Sequence, residues 1–381
     1  MDEYLLSSEL QQWQSTVRDF VEKSITLEYV RRCDEGRQYP YEAYKKVAEQ
    51  GWLGMLVPEE YGGSEFDVLA FVILLGELGR FSTDFGSTFA IPTFTVMNLV
   101  KHGTNAQKER YLPPFVAGAL RFSISITEPG AGSDVAAVSM RAVRSGDEYV
   151  IDGEKIFSSA ADAEGNVICL LVRSDPSSSR HEGLSLLLVP KGTPGITMTR
   201  LPTVARRGTG TYQVFFEGVR VPADSLLGTE GDGWRLITEH LEFERLAMAA
   251  IYASNAQQAV ATAAQYARER VQFGRPIVDF QVIKHTLAQM QTEADAATML
   301  VYRAARKVEA KLPALREVSM AKLFASETLY KVAGDGMQIL GGAAQLPESD
   351  MERYWREGKQ AMVGGGTSQI QRSIIARTMG L

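Results

Sequence analysis

Cysteine is nearly absent from this chain of 381 residues: Cys33 and Cys169 stand far apart and form no CxxC pair. That scarcity excludes a disulfide framework and a paired-thiolate site, and it makes a reducing compartment the expectation. Histidine is equally sparse. His102, His181, His240 and His285 are scattered without the i, i+4 spacing of a helical zinc site, so no metal is expected. There is no excess of positive charge either. Lys and Arg number 40 against 46 Asp and Glu, a formal net charge of -6, which argues against a nucleic-acid or membrane-surface binder. No stretch approaches the roughly 20 uninterrupted apolar residues needed to span a bilayer. The opening MDEYLLSSELQQWQSTVRDF has early acidic residues and neither a basic start nor a long apolar core. It reads as no targeting segment, and a cytoplasmic location is expected. No GxGxxG follows a strand pattern and no P-loop motif occurs, so the two commonest nucleotide cradles are excluded.

What is present is a globular composition, 45% hydrophobic and 23% charged, arranged in three blocks. Residues 1–120 are helical in pattern, broken by PEEYGG (58–63). Residues 121–230 change character: YVIDG, NVICLLV, LSLLLVP and YQVFFEGVRVP are short β-rich runs between Gly, Pro, Asp and Ser clusters. From 231 to 381 long helical periodicity returns, with a helix over 231–251 and further segments over 253–271, 280–309, 316–340 and 366–379. The fold class expected is α+β: an N-terminal α-helical domain, a middle β-barrel or sandwich, and a C-terminal four-helix bundle. Where such blocks meet, a cofactor cleft is favoured.

Four segments have the residue types that chemistry needs. Thr127-Glu128-Pro129-Gly130-Ala131-Gly132-Ser133-Asp134, expected where helix gives way to strand, exposes backbone N–H groups to a ligand, or is a plain capped turn. Asp152–Ser159 reads as a strand ending in an aromatic and two hydroxyls. Phe157 there can lie on a planar ring with Ser159 at its polar edge, or fill a core. On the helix 231–251, Trp234, Ile237, Leu241, Met248 and Ile251 form one apolar stripe that also contains Glu244. A carboxylate on an apolar face has either a task or an arginine partner. Finally, Gly364-Gly365-Gly366-Thr367 opens the last helix with a Thr cap, an N-terminus suited to a polar or anionic group.

These segments, with GWLGMLVPEEYGG, RYLPPFVAGAL, FFEGVRVP, Arg270-Val271-Gln272-Phe273-Gly274, MQILGG and GTSQIQR, make the chain similar over its full length to the acyl-CoA dehydrogenase family. The resemblance implies bound FAD and a homodimer or homotetramer. It implies that Ile126, Thr127, Gly132 and Ser133 contact the flavin and its ribityl-diphosphate arm, with Phe157 and Ser159 against the ring. Arg270 and Phe273 would reach the FAD of a neighbouring subunit. Gln281, Gln338, Gly341 and Gly342 would line its ADP part, and Thr367 and Gln369 would complete the site. Many members carry the catalytic glutamate where Gly365 stands here. A subgroup resembling isovaleryl-CoA and long-chain acyl-CoA dehydrogenases places it where Glu244 stands, so the resemblance and the interrupted stripe meet on one residue.

The implied reaction is α,β-desaturation of an acyl thioester. Glu244 takes the α-proton, the Gly365 N–H bonds the thioester carbonyl, and hydride passes from the β-carbon to the flavin. Ser133, Glu242 and Arg245 would contact the substrate, which is an acyl-CoA or an acyl carrier protein thioester, and an electron-transferring flavoprotein would accept the electrons. The pattern also resembles crotonobetainyl-CoA reductase, which implies the reductive direction as an alternative. A catalytically silent FAD-binding subunit is the reading from outside the enzymes. Ala344 and Gln345 depart from the family's usual Gly and aromatic, and Arg206-Arg207-Gly208 from its common sequence; both leave chain length and branching open.

Overall fold

The computed structural model describes residues 5–346 and 348–381, together with every side chain in them except that of His240. Helices come first: α1 (Ser8–Phe20), α2 (Leu27–Glu35), α3 (Tyr41–Glu49), α4 (Val68–Gly79), α5 (Thr83–His102) and α6 (Asn105–Val116). Strands follow: β1 (Arg121–Ser125), β2 (Arg141–Ser145), β3 (Glu148–Ser159), β4 (Asn166–Arg173), β5 (Leu184–Pro190), β6 (Ile196–Arg200), β7 (Thr211–Pro222) and β8 (Leu226–Leu227). Then come α7 (Gly233–Glu269), the short pair β9 (Val271–Gln272) and β10 (Arg275–Pro276), α8 (Gln281–Glu309), α9 (Leu315–Leu340), α10 (Asp350–Ala361) and α11 (Ser368–Thr378). The chain therefore runs N-terminal helices, a middle β-sheet and C-terminal helices. Among the described residues, no helix is long and apolar enough to cross a membrane.

Two differences from the sequence reading stand out. The segments 231–251 and 253–271 are one helix, because nothing in Tyr252-Ala253-Ser254 breaks α-geometry, and that helix stops at Glu269. The helix α10 has no counterpart in the apolar periodicity. Its buried face mixes Asp350, Arg353, Arg356 and Glu357 with Met351, Tyr354 and Ala361, so charges interrupt the apolar period.

By its contacts the chain divides into two compact units, each assembled from separated stretches. The first holds Met1–Arg32, Asp67–Ser87 and Arg245–Leu381. Within it α9 packs against α8, α10 and α11. The crossing of α10 over α9 needs glycine. A Cβ on Gly336 would lie 2.5 Å from the Met351 sulfur, and one on Gly358 would lie 3.0 Å from the Tyr330 Cα. The buried polar residues of α10 are satisfied from far along the chain. The Glu357 carboxylate accepts from Ser82 Oγ at 2.8 Å and Thr83 N at 2.6 Å, capping α5 from outside. Asp350 receives Arg31 Nη2 at 2.6 Å and Arg353 Nη2 at 2.8 Å.

That last cluster has a pH signature. Burial pushes the Asp350 carboxyl up, but the Arg31 hydrogen bond and the Arg353 charge outweigh it and hold the group below the usual carboxylate range. A carboxyl depressed by folding stabilises above its unfolded value, near 3.9, and loses that contribution as pH falls through the folded one. Asp350→Asn is therefore expected to cost about 3 kcal/mol at neutral pH. The gap from wild type should narrow as pH falls below about 4 and close only below the depressed folded value, where the carboxyl is neutral as well. Denaturant melts at the two pH values check this, and an equal gap at both overturns it.

The second unit holds Cys33–Phe66 and Thr88–Glu244. Its strands form one eight-stranded sheet in the order β6-β7-β3-β2-β4-β5-β8, with β1 pairing parallel to β4. All of NVICLLV is buried, as expected of a strand covered on both faces. Tyr149, Ile151, Ile168, Leu170, Val214 and Phe216 belong to its core.

Candidate active site

In the second unit the loop Ile126–Met140 follows β1, so a strand rather than a helix leads into it. Glu128 and Ala131 exchange backbone hydrogen bonds at 3.0 Å each way, closing a turn over Pro129 and Gly130. One side chain anchors that turn. Lys155, on β3 and wholly buried, donates to the Ile126 carbonyl at 2.9 Å and to Glu128 Oε1 at 2.8 Å. Glu128 is completed by donors from the end of the loop, with Ser139 N at 2.8 Å and Met140 N at 3.0 Å. Burial lowers the Lys155 ammonium to about 8 against the pull of Glu128. Burial also raises the Glu128 carboxyl, but Lys155 and the two backbone donors carry it below its ordinary range. The two stay an ion pair at neutral pH, with both loop ends tied to it.

The same strand brings the second sequence segment to the first. Ile156 N donates to the Thr127 carbonyl at 2.9 Å, and the hydroxyls of Ser125 and Ser158 meet at 2.8 Å. Between Lys155 and Ser158 the register with β7 shifts, and in that bulge Phe157 takes φ 62° and stays 58% exposed. An aromatic held in the left-handed region with its face uncovered is strained and packs no core, which removes the filling role. Ile126, Thr127, Phe157 and Ser159 are thus neighbours, with Gly132 and Ser133 exposed on the loop beyond. A Cβ on Gly130 or Gly132 would meet no described residue within 4 Å, so the backbone there lies open. Glu242 and Glu244, on α7, are both partly buried. Ile237, Met248 and Ile251 of the Glu244 stripe are buried, while Trp234 and Leu241 are partly so.

In the first unit a second cluster forms around Gly365. Arg245, 7% exposed, donates from Nε to the Gly365 carbonyl at 3.2 Å. Thr367 caps α11, its hydroxyl accepting from Ile370 N at 3.3 Å, with Gln369 exposed on the first turn. Arg270 and Phe273 lie elsewhere, on the β9–β10 hairpin, where Phe273 is 94% exposed and meets Phe280 edge-on. The Arg270 carbonyl accepts from Ile277 N at 2.8 Å, which sets the hairpin beside exposed Gln281 at the start of α8. Gln338, Gly341 and Gly342 sit exposed at the end of α9, and a Cβ on either glycine would touch no described residue within 4 Å. Among the described residues no three His, Cys, Asp or Glu side chains group as a metal site.

Sequence reasoning assigned no role to the Lys155 anchor, nor to Lys322 and Gln371, which hold the Gly365–Gly366 carbonyls. A signal for Lys322 existed. It interrupts the apolar stripe Val318, Ala321, Ala325, Leu329 on α9 as Glu244 interrupts that on α7.

Three family models cover the chain: Acyl-CoA dehydrogenase, N-terminal domain over residues 7–119, middle domain over 123–219 and C-terminal domain over 231–380. The chain belongs to the acyl-CoA dehydrogenase family, whose members are FAD-dependent oxidoreductases. It is 36% identical over 376 residues to a probable acyl-CoA dehydrogenase, YngJ, of Bacillus subtilis (strain 168), covering 98% of each chain. It is 35% identical over 379 residues to acryloyl-CoA reductase (NADH) of Anaerotignum propionicum, covering 98% of this chain and 95% of that one. Among solved structures, butyryl-CoA dehydrogenase of Megasphaera elsdenii superposes with a TM-score of 0.93 at 29% identity, covering 99% of both chains.

The residues present fit FAD. In the second unit, the uncovered face of Phe157 and the open backbone at Gly130 and Gly132 are features that a planar ring and a diphosphate-bearing arm would use.

Proposed function

We propose that this protein desaturates an acyl thioester between its α- and β-carbons, with Glu244 as the base. The observation that carries the reading is the placement of Glu244. It is a partly buried carboxylate in an otherwise apolar stripe, one residue before an arginine that bonds the Gly365 carbonyl. Position 365 has φ 65°, a conformation glycine adopts freely and a glutamate would strain to reach. The chain is thereby suited to a base on α7 rather than at 365.

The residues divide the work. Glu244 removes the α-proton onto a carboxylate oxygen. The Gly365 N–H bonds the thioester oxygen as negative charge builds there, which lowers the barrier to proton removal. Ser133, Glu242 and Arg245 orient the substrate. Ile126, Thr127, Gly132, Ser133, Phe157, Ser159, Thr367 and Gln369 hold FAD, with Gln281, Gln338, Gly341 and Gly342 along its ADP part. Arg270 and Phe273, on their exposed hairpin, serve a second copy in a homodimer or homotetramer. FAD supplies the acceptor for the hydride that leaves the β-carbon, and an electron-transferring flavoprotein takes the electrons on.

The test is anaerobic bleaching of the bound flavin by linear, branched and carrier-protein-bound acyl thioesters. Bleaching by at least one, with the matching enoyl product, is the expected result; none with any thioester overturns the proposal. Similarity to acryloyl-CoA reductase (NADH) supports a second reading, reduction of an enoyl thioester, which predicts reoxidation of the reduced flavin by the enoyl compound.

A further inference from the structure

Gly365 and Gly366 are consecutive glycines with φ 65° and 94°. Two glycines in a row form the least restricted dipeptide, so an amide between them keeps no direction of its own. The structure supplies the missing restraint from one side. The Gly365 carbonyl accepts from Arg245 Nε at 3.2 Å and Gln371 Nε2 at 3.2 Å. The Gly366 carbonyl accepts from Lys322 Nζ at 2.8 Å and, at 3.1 Å, from the same Gln371 amide. Lys322 is 1% exposed and Gln371 is fully buried. The loop is also closed at its ends by Ser368 N on the Met362 carbonyl and Gly364 N on that of Gln360, both at 3.1 Å.

Burying an ammonium costs several kcal/mol unless it is well compensated, and here the ammonium spends a donor on a backbone carbonyl. Peptide planarity turns that bond into a geometric constraint. With the peptides after Gly365 held from the interior and Gly364 N tied to the Gln360 carbonyl, the Gly364–Gly365 peptide plane, which carries the Gly365 N–H, is caught between two fixed ends.

We propose that Lys322 and Gln371 are positioning residues, which clamp the Gly365 and Gly366 carbonyls so that the Gly365 N–H stays aimed at the thioester oxygen. This rests on the reading of Gly365 as the donor to that oxygen, and the test separates the two. Lys322→Met and Gln371→Leu each remove a donor at nearly constant volume. The second also removes the buried Gln371 Oε1, which has no hydrogen-bond partner among the described residues, so it is the milder change for folding.

Each holoenzyme is checked for flavin content, then titrated anaerobically with a 3-ketoacyl thioester. The α-proton of that ligand becomes more acidic as its oxygens are better hydrogen-bonded, and its enolate shows as a long-wavelength band with the flavin. Both variants are expected to keep FAD and bind the ligand, while the acidity of the bound ligand falls about tenfold and kcat falls in step with little change in KM. A merely structural role would lower flavin content or melting temperature and leave ligand acidity in the holoenzyme unmoved; that result overturns the inference. Should Lys322→Met fail to fold, Gln371→Leu decides alone. If wild type itself gives neither the band nor bleaching with any thioester, the proposed function fails, and the inference with it.

Discussion

Glu244→Gln is expected to leave a yellow, FAD-loaded protein whose flavin an acyl thioester no longer bleaches. Glutamine keeps the volume and one oxygen of glutamate, so the partly buried surroundings on α7 lose neither packing nor a hydrogen-bonding head. What it loses is basicity. An α-proton beside a thioester is a weak acid, and proton removal by a placed base is worth about 10²–10⁴ in rate. Anaerobic stopped-flow at saturating thioester should show the reductive phase slowed by about 10³-fold. Ligand binding, read from the perturbed flavin spectrum, should change little, because the oxygen-holding donors are untouched. Reduction at the wild-type rate would remove Glu244 from its role and direct the search to another base.

The second large effect is expected at the opposite kind of residue, a lysine that touches no substrate. Lys155→Met strips the buried ammonium from Glu128 and from the Ile126 carbonyl. Glu128 would then face the interior with only the Ser139 and Met140 donors, an uncompensated charge that costs about 3–5 kcal/mol. Because Glu128 ties both ends of the loop Ile126–Met140, the local consequence is that Thr127, Gly132 and Ser133 lose their fixed places. The single variant should purify with little flavin and a lowered melting temperature. Lys155→Met combined with Glu128→Gln should recover most of the stability, since no buried charge is stranded, while flavin retention recovers less because the tie to Ile126 stays broken. Wild-type flavin content in the single variant would show that the pair does not anchor the loop.

Both residues show how far a linear reading reaches. Glu244 was legible because it breaks a pattern: five apolar positions at helical spacing make a carboxylate among them an anomaly without any coordinates. Lys322 breaks the α9 stripe in the same way and was open to the same argument. Lys155 gives a weaker signal: strand period puts it on the face of buried Tyr149 and Ile151, but Gly153 and a register shift stand between them and interrupt the pattern. The helix α10 stayed hidden for a related reason. Half of its buried positions are charged, and only the arrival of Arg31, Phe81, Ser82 and Thr83 from the start of the chain turns Arg353, Asp350 and Glu357 into core residues. A periodicity argument assumes that burial and hydrophobicity coincide, and it fails wherever charges are buried in pairs.

By itself the sequence determined the local matters: helix and strand identity where apolar period is strong, the Thr367 cap, and a carboxylate out of place on α7. Tertiary structure decided which backbone groups are held and by what. Glu128 meets Lys155 across 27 residues and Lys322 meets Gly366 across 44. The reason is physical. Propensity, capping and period act between residues a few positions apart, whereas a buried ammonium selects its carbonyl only once the chain has folded and excluded water from both.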